Sequence, residues 1–369
     1  MAICLSHSGE AIYSSSVASN ELFVGTADGV FLLARDGVDG SWRVARDSLK
    51  GYHVCSLMIE PSSGALFAGT HNGGVAVSRD SARSWSFCNQ GLSSLNVYSL
   101  AYAKSGAGVK IYTGTEPAHL FVSTDLGASW RELSSMRSVP NLKEWNFPAP
   151  PHVAHVKVIN IDPYDPDCIY ACVEQGELLR STDGGATWQD LLGPAGILKA
   201  SEGDAHRLII RPSNPREMFM PTGFGFFHSL DAGATWSNDA DRISRIGYPD
   251  PLVYHPGRDS LMFLAGARHN PGTWMKSKNA DPAVARSRDG GQSWELIMHG
   301  LPQPLKANFE AMTLEACADR SALFLGDTDG SVYYSRDEGE NWERIAARLP
   351  AISKGAHYMV LKEGFGRAA

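Results

Sequence analysis

Short apolar segments alternate along the whole chain with polar turns that contain Gly, Asp, Ser and Pro. Residues 22–26, 66–70 and 111–115 are examples, and each of these segments ends in Gly-Thr. Apolar runs of this length, bounded by turn residues, predict β-strands. No segment of useful length has the apolar spacing of an amphipathic helix. The pattern therefore predicts an all-β protein that is built from many short strands.

An eight-residue motif recurs within this pattern, with Ser at its first position, Asp at its third, Gly at its fifth and Trp at its last. Five clear copies occupy residues 123–130, 181–188, 229–236, 287–294 and 335–342. Two decayed copies lie at residues 78–85, with Ala82 in the glycine place, and at residues 34–42, with one extra residue. The spacing of the copies leaves room for four short strands per repeat, which is typical of a β-propeller.

Each residue type of the motif has a structural role in a tight turn, and the motif resembles the BNR, or Asp-box, repeat. The Asp carboxylate accepts backbone N–H bonds across the turn, the Gly permits a left-handed conformation, and the Trp packs between neighbouring sheets. The resemblance covers nearly the whole chain and implies a structural role for the aspartates. These are Asp80, Asp125, Asp183, Asp231, Asp289 and Asp337. We expect an all-β fold, a seven-bladed β-propeller with an Asp box in each blade and a ring closed by the chain termini.

The repeats also predict where the blades lie within a single domain of residues 1–369. The predicted blades cover residues 10–46, 52–91, 95–134, 154–193, 204–240, 248–300 and 308–349, with a closing strand at residues 356–362. Seven Asp boxes need seven innermost strands. Residues 11–17 and residues 356–361 are alternatives for the innermost strand of the first blade. One terminus is expected to complete a sheet that the other begins, because this removes an open sheet edge.

Composition and charge exclude several classes of partner. Lys and Arg total 33 and Asp and Glu total 40, so the net charge is −7, which argues against binding to nucleic acid or to an anionic membrane. No secretory signal and no apolar run of ~18 residues is visible. The six cysteines form no C-x-x-C pair, and we expect reduced thiols in a cytoplasmic protein. No phosphate-binding or dinucleotide fingerprint is present, so no nucleotide cofactor is expected. The oligomeric state stays open.

Candidate chemistry converges where the chain enters the innermost strands, because these strands line the channel of a propeller. Four of these positions carry histidine, namely His53, His155, His206 and His357. Imidazoles with a carboxylate would suit one divalent metal ion, either Zn, Mn or Fe. Glu174 and Glu310 belong to the same predicted mouth and are the candidate catalytic bases. For any single histidine, the alternative is an ordinary hydrogen-bonding residue at a strand start.

Two long segments at the predicted mouth, residues 134–152 and 268–282, explain the two widest spacings between repeats. They carry Trp145 and Trp274, which we expect on the rim of a binding site. Other candidate substrate-binding residues at the mouth are Arg268, His71, Glu116 and Asn96. Aromatic walls around convergent polar groups are typical of a small-molecule pocket.

These residues predict a metal-dependent hydrolase or lyase that acts on a small polar or aromatic molecule at the channel mouth. The alternative is a non-enzymatic propeller that binds a ligand or assists protein assembly, as Asp-box photosystem assembly factors do. The resemblance to sialidases fails, because this chain has no Arg-Ile-Pro segment and sialidases have six blades. Xyloglucan hydrolases of the Asp-box type use two carboxylates in a cleft between two propellers, whereas only one propeller is predicted here.

Overall fold

The structure is a computed structural model that describes residues 2–106, 108–148, 151–192, 204–243, 245–317 and 321–354. The chain divides into two compact units. The terminal unit comprises Met1–Leu57 and Ala240–Ala369, and the middle unit comprises Met58–Asp239. Within the described ranges, no helix is long and apolar enough to cross a membrane.

Short strands account for nearly all regular structure in the described residues. The strands that begin before residue 58 are β1 (Ala2–Leu5), β2 (Ile12–Ser14), β3 (Glu21–Thr26), β4 (Gly29–Ala34), β5 (Arg43–Ser48) and β6 (His53–Ile59). Those of the middle unit are β7 (Leu66–His71), β8 (Gly74–Ser78), β9 (Ser86–Phe87), β10 (Asn96–Ser105), β11 (Gly108–Glu116), β12 (Leu120–Ser123), β13 (Arg131–Glu132), β14 (His155–Ile161), β15 (Ile169–Glu174), β16 (Leu178–Ser181), β17 (Gln189–Asp190), β18 (Ile209–Ile210), β19 (Met218–Thr222), β20 (Gly225–Ser229) and β21 (Ser237–Asn238).

The remaining elements belong to the terminal unit, apart from two 3₁₀ turns. The last strands are β22 (Tyr248–His255), β23 (Arg258–Ala267), β24 (Ala283–Ser287), β25 (Glu295–Leu296), β26 (Phe309–Ala316), β27 (Ser321–Asp327), β28 (Val332–Ser335) and β29 (Glu343–Ala346). The helical elements are α1 (Pro271–Ser277) and the 3₁₀ turns Ser134–Ser138, Leu142–Glu144 and Ala240–Ile243. Helix α1 was not expected from the sequence; it is capped by the side chain of Asn270, which accepts a hydrogen bond from the Thr273 N–H.

The strands form seven sheets. Their orders are β1-β3-β4-β5, β6-β7-β8-β9, β10-β11-β12-β13, β14-β15-β16-β17, β18-β19-β20-β21, β22-β23-β24-β25 and β2-β26-β27-β28-β29. The sheets in which strands follow in chain order are antiparallel, as in β10 to β13. The predicted fold class, a seven-bladed β-propeller, is confirmed.

The N-terminal strands differ from the sequence prediction. β1 supplies the innermost strand of the first sheet and pairs in parallel with β3, from Ala2 opposite Glu21 to Leu5 opposite Val24. β2 is instead a fifth strand beside β26. Of the two alternatives for the innermost strand of the first blade, residues 11–17 do not take that place, because the more apolar residues 2–5 occupy it. The predicted closing strand at 356–362 lies outside the described residues.

The Asp boxes hold their turns by a repeated set of hydrogen bonds, seen for example at Asp183. Its Oδ1 accepts from the Thr187 N–H at 2.9 Å, and its Oδ2 accepts from the Thr187 hydroxyl at 2.6 Å. Ser181 donates to Oδ1 and accepts from the Gly185 N–H. The hydrogen bonds from Thr187 lower the pKa of Asp183 to about 2. The carboxylate therefore replaces the missing backbone partners of a tight turn.

The box tryptophan of the third sheet fills the space beside the second sheet. Trp130 is 5% exposed and packs in a cluster with Met58 and Phe67. Its indole N–H donates to the Cys88 carbonyl oxygen at 2.7 Å. The ring thus buries a large apolar surface and still satisfies its one polar group.

Candidate functional site

Two β-bulges interrupt the innermost strands of the third and fourth sheets at equivalent positions. In β10 the pairing with β11 passes from Val97 to Ser99 and skips Tyr98. In β14 the pairing with β15 passes from Val156 to Val158 and skips Lys157. A bulge re-aims the side chain of the extra residue. Both of these side chains belong to one buried group in the middle unit.

We call this group the polar cluster. It comprises Tyr98, Glu116, His155, Lys157, Glu174, Asp204 and His206. Each of its side chains is buried, and Lys157 and His206 have no exposed surface. Ionisable groups are rarely buried together unless they compensate one another's charge. The contacts within the cluster provide that compensation.

Glu174, the last residue of β15, is surrounded by cationic and imidazole groups. Its Oε2 lies 2.7 Å from His155 Nε2. Its Oε1 lies 3.5 Å from Lys157 Nζ and 3.9 Å from His206 Nε2. Because the interior screens charges weakly, these neighbours stabilise the carboxylate form of Glu174.

Asp204 reaches the cluster from the segment that precedes β18. Its Oδ2 lies 3.3 Å from His206 Nε2. Burial alone would raise the pKa of Asp204, but the charge and hydrogen bond of His206, with Lys157, lower it below its ordinary value. A Cβ at Gly223 would stand 2.0 Å from Asp204 Oδ2, so a larger residue at this position would displace the carboxylate.

Glu116, the last residue of β11, has a different environment from Glu174. Its oxygens accept from the Tyr98 hydroxyl at 3.2 Å and from the Asn96 amide at 3.4 Å. Burial raises the pKa of Glu116 above its ordinary value, and these two hydrogen bonds only partly offset it. The Tyr98 ring stacks on His155 with the centroids 3.8 Å apart, and His71 packs on Tyr98 at 4.4 Å.

One aromatic ring packs on the cluster, and two others belong to segments of the same unit. Phe147 packs edge-on against His155 with the centroids 5.1 Å apart. Trp145 is half-buried and packs with the core of the third and fourth sheets. Phe224, in the turn after Gly223, is 51% exposed. The Phe147 ring therefore stands next to a buried polar group, as in ligand sites.

The terminal unit holds the other predicted catalytic glutamate. Glu310 lies at a β-bulge of β26 and is 1% exposed. Its Oε2 accepts a hydrogen bond from the Ser353 hydroxyl at 2.7 Å. His53 Nε2 lies 2.6 Å from the Ser353 carbonyl oxygen. Glu310 and His53 thus both contact the same buried residue, Ser353.

Two other predicted binding residues of the terminal unit have structural contacts. Trp274 is fully buried in α1, donates its indole N–H to the His269 carbonyl oxygen and packs edge-on against Tyr248. It was predicted on a rim, and the structure differs because α1 turns the ring into the core. Arg268 is exposed and pairs with Asp281 at 3.4 Å. His357 lies outside the described residues.

The structure therefore brings together part of the predicted site. His155, His206, Glu174, Glu116, Asn96 and His71 all lie in the middle unit, within or beside the polar cluster. Tyr98, Lys157 and Asp204 were not predicted. The sequence marked Lys157 only as a charged residue within the otherwise apolar strand β14. Among the described residues, the group that could hold a metal ion is Glu174, Asp204 and His206, which differs from the four predicted histidines.

Comparisons with known proteins agree with the repeat and the fold. The BNR/Asp-box repeat family matches residues 333–344. An ancestral GH74 enzyme superposes with a TM-score of 0.58 at 16% identity, over 77% of this chain and 37% of that chain. YCF48 bound to a D1 peptide superposes with a TM-score of 0.57 at 16% identity, over 90% and 94% of the two chains. The chain is a β-propeller with BNR/Asp-box repeats.

Sequence relatives carry a more specific name. Xyloglucanase Xgh74A of Acetivibrio thermocellus is 25% identical over 214 residues, which are 51% of this chain and 25% of that protein. A xyloglucanase of a Paenibacillus species is 27% identical over 221 residues, or 51% of this chain and 20% of that protein. The match thus spans about a quarter of the length of these curated relatives.

These relatives overturn the predicted function. A metal-dependent hydrolase or lyase for a small polar or aromatic molecule was expected, but the relatives are named for action on xyloglucan, a polysaccharide. The error came from taking converging imidazoles as evidence of a catalytic metal. In the structure, His155 instead contacts the carboxylate of Glu174.

Proposed function

We propose that this chain hydrolyses glycosidic bonds in a polysaccharide, with Glu116 as the general acid and Glu174 as the general base. The observation that carries the proposal is the pair of glutamates at the ends of β11 and β15. They occupy the same position in neighbouring sheets but have opposite electrostatic environments. Pairs of carboxyl groups of this kind divide the acid and base roles of glycoside hydrolysis.

Glu116 suits the acid role because only neutral groups hydrogen-bond to it in the described structure. The Tyr98 hydroxyl and the Asn96 amide are these partners. With its pKa raised by burial, the carboxyl group keeps its proton to higher pH than an ordinary glutamic acid does. It can donate that proton to the glycosidic oxygen as the bond to the anomeric carbon breaks.

Glu174 suits the base role because Lys157 and His155 favour its ionised form. The carboxylate accepts a proton from a water molecule while the water oxygen bonds to the anomeric carbon. One proton thus leaves Glu116 and another arrives at Glu174, so the two roles balance over one hydrolysis. His155 fixes the orientation of Glu174 through its 2.7 Å contact.

The aromatic residues fit a sugar chain as the substrate. The exposed ring of Phe224 offers a flat apolar surface of the kind that packs on the faces of sugar rings. Phe147 covers His155, and both catalytic carboxyls are buried. Access therefore requires Phe147 to move away from His155, which would also exclude bulk water when it returns.

The named relatives support a polysaccharide rather than a small molecule. Their match to this chain at 25–27% identity covers about half of it. Because this chain matches only a quarter or less of those proteins, a cleft between two propellers is not the basis of the proposal. The proposed site is built within the middle unit alone.

A substrate panel tests the proposal. Purified chain is incubated with xyloglucan, unsubstituted β-1,4-glucan and a starch-type α-glucan, and new reducing ends are counted over time. We expect xyloglucan to be cleaved faster than the unsubstituted chain and the α-glucan to be left intact. A folded protein that releases no reducing ends from any of the three would contradict the proposal.

A further inference from the structure

Three side chains of the polar cluster have the geometry of a metal site. One ligand atom each of Glu174, Asp204 and His206 lies within 4.8 Å of the other two. His206 Nε2 lies 3.3 Å from Asp204 Oδ2 and 3.9 Å from Glu174 Oε1. Atoms bound to one ion at ~2.1 Å stand at most ~4.2 Å apart. Shifts of these three ligand atoms by well under a bond length would therefore allow all three to bind one ion.

Asp204 supplies an independent observation. The residue is 4% exposed, and its Oδ1 has no hydrogen-bond partner among the described residues. A buried carboxylate oxygen without a partner loses its hydration without compensation. The Gly223 N–H donates to the Asp204 carbonyl oxygen at 3.1 Å, and this contact helps to hold the residue in place. Asp204 thus places its Oδ2 beside His206 and keeps a second buried oxygen without a hydrogen-bond partner.

The donor atoms select the kind of ion. Two carboxylate oxygens and one imidazole nitrogen suit divalent first-row transition metals, whereas Mg²⁺ and Ca²⁺ prefer oxygen ligands throughout. We propose that Glu174, Asp204 and His206 bind one divalent transition-metal ion of the Zn²⁺ type. His155 contacts the other oxygen of Glu174 and serves as an outer partner that orients this ligand.

The ion would regulate the proposed function rather than perform it, and this part rests on the proposed function. A metal ion bound to Glu174 would stabilise its carboxylate anion and so weaken it as a proton acceptor. Metal binding therefore opposes the role of this residue as a general base. We expect Zn²⁺ to inhibit polysaccharide cleavage and a chelator to restore it.

Zinc titration tests the metal site without any measurement of activity. The chain is stripped with a chelator and dialysed, and Zn²⁺ binding is followed by calorimetry and elemental analysis. We expect about one equivalent per chain. Asp204→Asn and His206→Ala should each weaken binding by at least about tenfold, since each removes one ligand. Circular dichroism confirms that the variants fold.

Asp239→Asn is the matched control. Asp239 also lies beside a histidine of the fifth sheet, with its Oδ2 3.5 Å from His228 Nδ1, but it is not part of the proposed site. Its substitution should leave zinc binding unchanged. Binding of less than about a tenth of an equivalent by the parent chain overturns the proposal, and so does an equal loss in Asp239→Asn and Asp204→Asn. Absence of hydrolysis would not affect these results, so the two proposals fail separately.

Discussion

Replacement of Glu116 by Gln is expected to slow xyloglucan hydrolysis by roughly 10²–10⁴-fold, the usual contribution of a general acid. The amide keeps the size of the side chain but cannot donate the proton that the departing sugar oxygen needs. An aryl glycoside with a good leaving group needs no such proton. Its hydrolysis should fall by less than about tenfold. The hydrolysis rates of xyloglucan and of the aryl glycoside are measured with the same enzyme preparation. Their comparison shows whether the substitution has removed the proton donor.

Two further variants complete this experiment. Glu174→Gln should slow both substrates alike, because a water nucleophile needs its base whatever the leaving group. Glu132→Gln is the control: this glutamate lies in the outermost strand of the third sheet and pairs with Arg137 at 2.8 Å. It should retain the parent rate. Equal losses on both substrates in Glu116→Gln would show that Glu116 is not the acid.

Replacement of Trp130 by Ala should lower the free energy of unfolding by ~3–5 kcal/mol, as truncations of buried aromatic residues do. The indole fills the core between the second and third sheets. Its loss leaves a cavity and also leaves the Cys88 carbonyl oxygen without the indole N–H that donates to it. Urea denaturation followed by tryptophan fluorescence and circular dichroism measures the change.

Phe87→Ala is the matched control for this stability experiment. Phe87 belongs to the neighbouring strand β9, but 41% of it is exposed, so its truncation should cost less than about 1 kcal/mol. Similar losses in the two variants would show that Trp130 is not packed between the sheets as described.

The fold could be predicted from the sequence because the Asp-box motif, which indicates it, is local and repeated. In the clear boxes, Ser, Asp, Gly and Trp stand a few residues apart, and each has a contact that a single turn supplies, as around Asp183. The places of β1 and β2 could not be predicted in this way. β1 pairs with β3 rather than with the adjacent β2, and β2 pairs with β26 far along the chain. The apolar pattern of so short a strand does not indicate which strand it pairs with.

Only part of the site could be predicted from the sequence, for a related reason. His155, His206 and Glu174 could be found by aligning the repeats, because strand ends in a propeller meet at one face. The roles of Tyr98 and Lys157 depend on β-bulges, which are visible only when the pairing of two strands is known. Trp274 was misplaced because helix α1, in a long connection between two strands, turns its ring inward.

The mechanism depends most directly on Glu116 carrying its proton at a pH where ordinary glutamic acids have lost it. Carboxyl ¹³C NMR of glutamate-labelled chain, compared with Glu116→Gln to assign the signal, measures this titration in the intact protein. We expect Glu116 to titrate clearly above 4.5, the ordinary pKa of a glutamic acid. A midpoint at or below that value would mean that Glu116 is ionised like a surface carboxylate, and it would contradict the assignment of the general acid.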